Sequence, residues 1–343
     1  MEIRMKLTTL CYLERDGKYL MLHRVRKKQD VNKDKWIGIG GKFEFGESPE
    51  DCLLREALEE TGYRLTSYRL RGIVTFLFNE EEAEYMFLYT ADGFLGEPVP
   101  CSEGTLEWVP KEEIDRLNLW EGDRIFFGLL KEDAPFFSLK LHYMGDRLFE
   151  AVLDGVPMEL LDVLDENGKP SGLVRERTMV HLRGDYHRTS HVWVVRRRMD
   201  GKYELLLQKR SAAKDSFGGC YDISSAGHIP AGGDYRESAV RELFEELGIL
   251  ADAKELRFIG FHEGRYEGTF NGRLFKNHEK SAVFLYEKPV EESAFTLQES
   301  EVESVLWMEL HEIEQAVREK RPDFCLFHDE IELLISCLEG REG

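Results

Sequence analysis

Three glutamates stand close together in the first half of the chain, at a spacing that could do chemistry. Glu56, Glu59 and Glu60 are spaced i, i+3, i+4, so on a helix with about 3.6 residues per turn their carboxylates share one narrow face. Like charges at this spacing repel, and a bridging cation is the economical explanation. Hard cations such as Mg²⁺, or Mn²⁺, take carboxylate oxygens and bridge them to phosphates. The triplet predicts a metal site for a phosphate compound, with a solvated acidic helix face as the alternative.

The local sequence predicts the helix that positions these carboxylates. Ser48 is a good N-cap, Pro49 suits the first helical position, and Gly62 is suited to end the helix. Glu59 and Glu60 then fall in the last turn, where the helix macrodipole already disfavours anions. The placement strengthens the expectation that a positive group lies beside them.

The chain contains this pattern twice. Residues 16–19 read Asp-Gly-Lys-Tyr and return as residues 200–203, each time between two apolar runs, which predicts a β-hairpin turn. Further along the offset settles at 186 residues, so that a two-residue insertion is expected near the second hairpin. A period this long indicates two copies of one domain. We expect domains over residues 1–156 and 157–343, joined at a turn near residues 154–157.

The residues around the first triplet follow a longer pattern. From Gly41 to Tyr63 the spacing is G-x5-E-x7-R-E-A-x-E-E-x-G-Y. This resembles the Nudix box, the signature of hydrolases that act on nucleoside diphosphates linked to a further group. The resemblance implies an α/β fold for each copy, an α/β/α sandwich around a mixed sheet. It also implies that a water activated by Mg²⁺ attacks a phosphorus of the pyrophosphate chain.

The same resemblance implies roles for individual residues. The implied metal ligands are Gly40, Glu56, Glu59, Glu60 and Glu103. Glu56 is also the implied general base, while Glu47 and Arg55 would brace the loop against the helix. Gly41 and Lys42 are implied to bind the substrate, since a glycine lets backbone groups approach phosphates closely.

Four further segments suggest the substrate of the first copy. Residues 35–42, 101–110, 119–127 and 136–143 are similar to MutT-type enzymes that hydrolyse oxidised purine nucleoside triphosphates. In that family a Trp stacks on the purine and an Asp three residues later bonds its edge, which here are Trp120 and Asp123. The alternatives are a core aromatic for Trp120 and a helix cap for Asp123.

Two positions depart from that family. Ile37 stands where a purine-reading Asn is expected, and Gly122 replaces one of two adjacent recognition Asp residues. These departures leave the base specificity open, so a sugar nucleotide or a dinucleoside polyphosphate is the competing substrate.

The second copy keeps the box glutamates but alters the brace. Its implied metal and catalytic residues are Glu242, Glu245 and Glu246. Gly233 stands where the first box has Glu47, so metal binding should survive with weaker bracing of Arg241. Asp234 and Glu237 predict a capping box for the helix.

Other residues of the second copy resemble the isopentenyl-diphosphate isomerase branch of Nudix proteins, notably 187–193 and 207–211. Ala226 stands where the isomerases need a catalytic Cys, so we expect a diphosphate hydrolase or a non-catalytic ligand-binding module instead. Positions that match the isomerases' metal site are His191, His228 and Glu279, whereas Asn277 replaces a further acid. Glu301 is either another acid beside the metal or a strand-edge charge.

The composition limits the classes of partner and the cellular locations that we expect for this protein. The net charge of −20 disfavours a nucleic acid polymer as partner, and no apolar run reaches the length of a membrane helix. A charged N-terminus and six scattered Cys favour a cytoplasmic protein with reduced thiols. The apolar period from 324 to 338 predicts a closing helix. We therefore expect a tandem, Mg²⁺-dependent pyrophosphohydrolase of small nucleotide or diphosphate substrates.

Overall fold

The computed structural model describes residues 4–26, 31–214 and 216–340 of the 343-residue chain. The chain divides into two compact units, Met1–Leu160 with Val174–Glu176 and Leu161–Leu173 with Arg177–Gly343. The domain boundary at residue 156 stays a prediction. Residues 1–3, on which part of the N-terminal expectation rests, lie outside the described residues.

The first unit is built on one mixed sheet. Its strands are β1 (Arg4–Arg15), β2 (Lys18–His23), β3 (Trp36–Ile37), β4 (Arg64–Phe78), β5 (Glu82–Leu95), β6 (Thr105–Pro110), β7 (Phe137–Met144), β8 (Arg147–Leu153) and β9 (Val156–Pro157). They lie in the order β3-β2-β1-β5-β4-β7-β8-β9, with β6 on β2. The pairs β1-β5 and β4-β7 are parallel, and the other pairs are antiparallel. The helices are α1 (Pro49–Thr61) and α2 (Asp123–Lys131), with a 3₁₀ helix over Lys111–Arg116.

Side-chain alternation along β1 decides which helix covers which face of this sheet. Cys11 packs in one cluster with Leu53 of α1. The next residue, Tyr12, points to the opposite face, where its ring centroid lies 4.7 Å from that of Phe127 in α2. The sheet is therefore sandwiched between helices, as predicted.

The second unit repeats this plan. Its strands and those of a separate two-stranded sheet are β10 (Leu160–Leu164), β11 (Pro170–Glu176), β12 (His187–Arg197), β13 (Tyr203–Arg210), β14 (Tyr221–Asp222), β15 (Ser225–His228), β16 (Leu256–Phe270), β17 (Arg273–Tyr286) and β18 (Val302–Glu309). The main sheet has the order β14-β13-β12-β17-β16, with β15 on β12 and β18 on β13, while β10 pairs with β11. The helices are α3 (Arg177–Arg183), α4 (Tyr235–Leu247), α5 (Leu310–Arg318) and α6 (His328–Glu339), with 3₁₀ turns at Ala253–Glu255 and Glu292–Ala294.

Strand β12 separates two helical layers in the same way as β1. Val192 packs with Leu243 of α4, and its neighbour Trp193 packs on the other face with Ile331 of α6. Both units are thus α/β/α sandwiches, which confirms the predicted fold class.

Both predicted hairpins are present. Arg15 pairs with Lys18 across the two-residue turn, in which Asp16 and Gly17 have φ of 50° and 73°, the positive values that a type I′ turn requires. In the second unit β12 and β13 meet at Arg197 and Tyr203, so the connection is longer. An insertion therefore lies in this loop as expected, but the five residues between Arg197 and Tyr203, against two in the first unit, make it larger than the two residues predicted.

The two box helices begin and end at the predicted residues. Ser48 Oγ accepts the N–H of Asp51 at 3.1 Å, and the Asp51 carboxylate accepts the N–H of Ser48 at 3.0 Å. This reciprocal capping box fixes the start of α1, and Gly62 ends it with φ of 78°. Asp234 caps α4 by accepting two backbone N–H groups, and Gly248 ends that helix. The predicted capping box is only half formed, because among the described residues Glu237 does not accept the N–H of Asp234 in return.

The helix expected from residue 324 starts four residues later, so that prediction was wrong at its N-terminal end. The N–H of Tyr221 donates to the carbonyl of Asp323 at 2.7 Å, and the N–H of Cys325 donates back to the carbonyl of Tyr221 at 3.0 Å. This extended pairing excludes helical dihedrals at residues 323–325, and Phe327, with φ of −97° and ψ of 134°, is the N-cap of α6. The apolar face of α6 is buried as expected.

All six cysteines are free thiols, as predicted. Among the described residues, every helix is too short or too polar to cross a membrane.

Candidate active site

A cavity of about 790 Å³ opens in the first unit. The predicted site residues that line it are Gly40, Gly41, Lys42, Arg55, Glu56, Glu60, Glu103, Trp120 and Asp123. The structure therefore brings the implied metal ligands and the implied base-binding pair to one space. Glu59 is the exception, because its side chain is 61% exposed and lies outside the lining.

Two glycines let the box carboxylates lie directly against the backbone. A Cβ on Gly41 would lie 2.3 Å from Glu56 Oε1, so only glycine leaves room for this carboxylate. The N–H of Gly40 donates to Glu60 Oε2 at 2.9 Å. Gly40 has φ of 148° and faces the carbonyl of Thr9, which a Cβ would overlap. The loop thus fixes both carboxylates without a side chain of its own.

Arg55 forms the predicted brace and has a second task. Its Nε and Nη2 atoms donate to the two carboxylate oxygens of Glu47 at 2.7 and 2.9 Å, and Nη2 also donates to the carbonyl of Lys42 at 3.0 Å. These bonds lower the pKa of Glu47 to about 2. The remaining Nη1 donates to Glu56 at 2.7 Å and reaches Glu59 at 3.5 Å. Arg55 therefore supplies part of the positive charge that was expected beside the three mutually repelling glutamates.

The donor set at this end of the cavity fits a hard divalent cation. Glu56 and Glu60 face it from α1, and Glu103 lines it while paired with Arg24. Carboxylate oxygens without imidazole or thiolate are the ligands that Mg²⁺ takes in proteins. The residues present are therefore compatible with the implied metal.

Trp120 also lines the cavity. It is 3% exposed, and its Nε1 donates to Asn32 Oδ1 at 2.8 Å. Its ring lies edge-on to Tyr143, at 4.9 Å between centroids, and Lys35 Nζ lies 4.7 Å from the ring centroid. Trp120 is therefore packed into the core and also lines the cavity, so its stacking role stays a prediction.

Asp123 is buried beside Trp120. It is the first residue of α2, whose N-cap is Gly122 and which has no side-chain cap. The alternative that Asp123 caps this helix was therefore wrong. Burial raises the pKa of Asp123 to about 7, although Lys35 and Arg124 pull it in the other direction. Near neutral pH this carboxyl is present in both protonation states.

Sequence reasoning missed several polar groups of the lining, among them Asn32, Thr8 and Glu84. Asn32 lies in a segment that no motif covers, and Thr8 Oγ1 donates to Glu84 Oε1 at 2.8 Å across β1 and β5. The alternation of β1 and β5 places Thr8 and Glu84 on one face, but it does not reveal that this face opens into the cavity.

The box of the second unit repeats the same contacts. The N–H of Ala226 donates to Glu246 Oε2 at 3.2 Å. A Cβ on Gly227 would lie 2.2 Å from the carboxyl carbon of Glu242. Burial raises the pKa of Glu246 to about 8. The carboxylates are therefore held as in the first unit.

The brace of this second box is different, as predicted. Arg241 donates to Glu242 at 2.6 Å and to Glu245 at 2.8 Å, both on its own helix. Its side chain is 42% exposed, compared with 21% for Arg55. Gly233 offers no carboxylate, so within the described part of the chain the guanidinium does not tie the loop to the helix.

A model of the NUDIX domain matches residues 5–130 and again 187–327. The chain belongs to the NUDIX domain family. It carries the domain twice, which confirms the tandem arrangement predicted from the internal repeat, and Nudix hydrolases generally use divalent metal ions such as Mg²⁺.

Relatives of both predicted kinds are found. The chain is 40% identical over 170 residues to Nudix hydrolase 3 of Arabidopsis thaliana, covering 48% of this chain but only 21% of that relative's length. It is 30% identical over 152 residues to an oxidized purine nucleoside triphosphate hydrolase of Danio rerio, covering 44% of this chain and 96% of the relative. It is 33% identical over 94 residues to an isopentenyl-diphosphate Delta-isomerase of Pectobacterium atrosepticum, covering 27% of this chain and 50% of the relative.

The second Nudix domain also contains a group of three histidines. Ligand nitrogens of His181, His187 and His228 all lie within 4.8 Å of one another. Burial lowers the pKa of His181 to about 2 and that of His187 to about 3, which keeps both rings in the neutral form that binds metals. Only His228 was predicted, because no spacing rule connects a histidine on α3 with one at the start of β12.

His191 lies apart from this group. Its Nδ1 atom pairs with the Glu330 carboxylate at 3.0 Å, and the ring is buried. The structure therefore does not bring His191 and His228 to one metal site. Glu301, directly before β18, forms an ion pair with Lys214, and the choice between an acid beside the metal and a strand-edge charge stays a prediction.

Proposed function

We propose that this tandem Nudix protein is a Mg²⁺-dependent pyrophosphohydrolase whose first domain converts oxidised purine nucleoside triphosphates, of the 8-oxo-dGTP type, to monophosphate and pyrophosphate. The observation that carries the proposal is one cavity lined by Glu56 and Glu60 together with Trp120 and Asp123. Its volume of about 790 Å³ is in the range of small-molecule sites. Such an activity would remove oxidised nucleotides from the cytoplasmic pool.

The charged residues that line the cavity would bind the metal ion and the phosphates of the substrate. When bound, Mg²⁺ supplies positive charge and a water of lowered pKa. Glu56 and Glu60 would hold the ion, and Glu56 would take a proton from the attacking water. Lys42 and Arg24 line the same cavity, and their charges would offset the phosphates in a protein whose net charge is −20.

Trp120 and Asp123 support the proposal that the base of the substrate is a purine. The indole of Trp120 offers a flat apolar surface, and its ring is fixed by the hydrogen bond to Asn32. With a pKa of about 7, Asp123 can donate or accept a hydrogen bond at neutral pH. An oxidised purine presents an altered set of donors and acceptors, which a titrating carboxyl can match. The likeness to the Danio rerio oxidized purine nucleoside triphosphate hydrolase agrees with this assignment.

The test is pyrophosphate release with Mg²⁺ from 8-oxo-dGTP, 2-hydroxy-dATP, dGTP and UDP-glucose. We expect the oxidised triphosphates to be preferred. Trp120→Ala should raise KM by about tenfold or more, because base stacking is worth roughly 1–3 kcal/mol, with a smaller effect on kcat. Trp108→Ala is the matched control, since Trp108 stacks on Phe94 and lies outside the cavity lining. An unchanged KM for Trp120→Ala would contradict the stacking role, and preference for UDP-glucose would contradict the substrate class.

The second domain is proposed to act on another diphosphate. Its box carboxylates are held as in the first domain, and this similarity supports hydrolysis. The loosely held Arg241 and the alanine at position 226 favour the alternative, a metal-dependent or ligand-binding module that regulates the first domain. Inactivating each box separately, by Glu56→Gln or by Glu242→Gln, distinguishes a hydrolytic second domain from a regulatory one.

A further inference from the structure

The second domain holds two buried imidazoles, each oriented by a carboxylate at the start of α6. His191 Nδ1 donates to Glu330 at 3.0 Å, and Trp193 Nε1 donates to the same carboxylate at 2.8 Å. The preceding residue, Asp329, pairs with His262 Nδ1 at 2.8 Å. Because both Nδ1 atoms are committed to α6, each ring presents its Nε2 atom on the opposite side.

The two Nε2 atoms approach Glu279. His191 Nε2 lies 3.9 Å from Glu279 Oε1. Glu279 pairs with Gly264 across β17 and β16, and a Cβ on Gly264 would lie 3.0 Å from Glu279 Oε1 and 3.2 Å from His262 Nε2. Three polar groups therefore converge over a residue that has no side chain.

These groups are buried without being fully paired. His191, His262 and Glu279 are 4%, 3% and 8% exposed. Within the described part of the chain His262 Nε2 has no hydrogen-bond partner, and an unpaired buried polar group costs about 1–3 kcal/mol. Burial alone would lower the pKa of His191, but Glu330 and Glu279 raise it to about 9. A ligand that pairs with these groups would recover the lost hydrogen bonds.

The cluster adjoins the box. His191 pairs with Ala226 across β12 and β15, and the N–H of Ala226 donates to Glu246. Paired residues in such a ladder have Cα atoms about 5 Å apart. A diphosphate held at the box would therefore place its organic group beside His191.

The first domain uses the equivalent place for its cavity. One strand pair recurs in the two domains, as Cys11 with Ile39 in the first and as Val192 with Ser225 in the second. This recurring pair shows which strand positions are equivalent. His191 thus takes the position of Leu10, and Leu10 lines the first domain's cavity. The second domain has replaced an apolar wall with an imidazole.

We propose that His191, His262 and Glu279 form the subsite for the organic group of the second domain's diphosphate substrate, and that this group carries hydroxyls, as a ribose or sugar does. A hydroxyl both donates and accepts, so it satisfies two imidazole nitrogens and a carboxylate. A prenyl chain offers neither and would leave His262 Nε2 without a hydrogen-bond partner among the described residues. The inference rests on the proposed function to the extent that the second box holds the diphosphate.

The test removes only the inward nitrogens. Asparagine keeps an amide near the Nδ1 position of histidine, so His191→Asn and His262→Asn keep the bonds to α6 and lose Nε2. The background is full-length protein carrying Glu56→Gln and Trp120→Ala, which weaken the first site. Calorimetric titration with Mg²⁺ uses two probes, the α,β-methylene analogue of ADP-ribose and inorganic pyrophosphate.

We expect each Asn variant to bind the ADP-ribose analogue about tenfold more weakly, the value of one lost hydrogen bond, while its affinity for pyrophosphate stays within twofold. His262→Gln, which returns an amide near Nε2, should recover most of the affinity. This recovery also separates a ligand contact from a folding defect. His311→Asn, on the exposed face of α5, is the matched control and should change neither affinity.

Three results would overturn the subsite. They are unchanged affinity for the analogue in both Asn variants, no binding of the analogue at all, and tighter binding of isopentenyl diphosphate than of the analogue. Failure of the proposed function has a different signature, because pyrophosphate would then bind no better to the background protein than to the same protein with Glu242→Gln.

Discussion

Arg55 and Arg241 occupy the same position of the two box helices but hold different partners. Arg55 ties its loop to the helix through both oxygens of Glu47, whereas Arg241 contacts only acids of its own helix among the residues the structure describes. The glycines that make room for the carboxylates are nevertheless present in both domains. The position of the carboxylates therefore depends on the backbone, and the brace is a separate part that one copy has lost.

The organic ends of the two sites differ in a second way. Each domain buries an acid near the start of a helix, Asp123 in α2 and Glu330 in α6. Burial raises the pKa of Asp123 to about 7. Burial acts in the same direction on Glu330, but His191 outweighs it and lowers the pKa of that carboxyl. One domain thus keeps a titrating carboxyl in its cavity, and the other keeps a fixed ion pair.

The largest expected effect comes from silencing each box separately. Glu56→Gln should lower turnover of the oxidised triphosphates by about 10³-fold, within the range for loss of a general base. Glu242→Gln should leave that activity unchanged and abolish turnover of the second domain's substrate. Steady-state rates on 8-oxo-dGTP and on ADP-ribose check both variants in the full chain.

The same pair of variants can break the comparison. Loss of triphosphate turnover in Glu242→Gln would show that the second domain regulates the first. Loss of all activities in that variant, with Glu56→Gln active, would assign catalysis to the second box.

The next effect in size comes from exchanging the brace. Glu47→Gly should weaken the apparent Mg²⁺ affinity of the first domain by about 10- to 100-fold, as expected when a supporting contact behind a metal ligand is removed. Gly233→Glu should strengthen that of the second domain by less, because the new Cβ would lie 3.0 Å from the carbonyl of Pro230. The dependence of activity on Mg²⁺ concentration measures the apparent affinity in both variants. Identical curves for Glu47→Gly and wild type would show that the contact between Arg55 and Glu47 does not support metal binding.

Much of this arrangement could be predicted from local sequence. The caps at Ser48 and Gly62, the turn at residues 16–17 and the spacing of the box glutamates are short-range signals, and each is present in the structure. The loss of bracing at Arg241 also followed from Gly233 alone. These features are predictable because neighbouring residues determine them.

Long-range features were not predictable in the same way. The pairing of His191 with Glu330 joins residues that are 139 positions apart. The spacing of the box glutamates likewise does not reveal that Glu59 is 61% exposed and lies outside the cavity lining. The closing helix was predicted too early, because its apolar period does not reveal that residue 324 pairs beside Tyr221. Sequence periodicity identifies a buried face, but it does not identify the partner that covers it.

The smallest expected effect separates the two buried acids by pH. The folded pKa of Asp123 is about 7 and its ordinary value is 3.8, so the folded state binds this proton more tightly. The stability that Asp123 contributes is complete below about pH 4 and is lost as the pH rises through 7. Between pH 6 and 8 the free energy of unfolding should fall by about 1.4 kcal/mol through this group.

Asp123→Asn should flatten that pH dependence, as measured by urea unfolding curves at each pH. Glu330→Gln should instead flatten the dependence between about pH 6.5 and 9, because, against the effect of burial, Glu330 raises the pKa of His191 to about 9 and the stability from that ion pair is lost as the pH rises through 9. Equal slopes in wild type and Asp123→Asn would mean that the Asp123 carboxyl is already ionised at pH 6. The cavity of the first domain would then present a permanent anion to its base, and the purine edge would have to supply the donor at every pH.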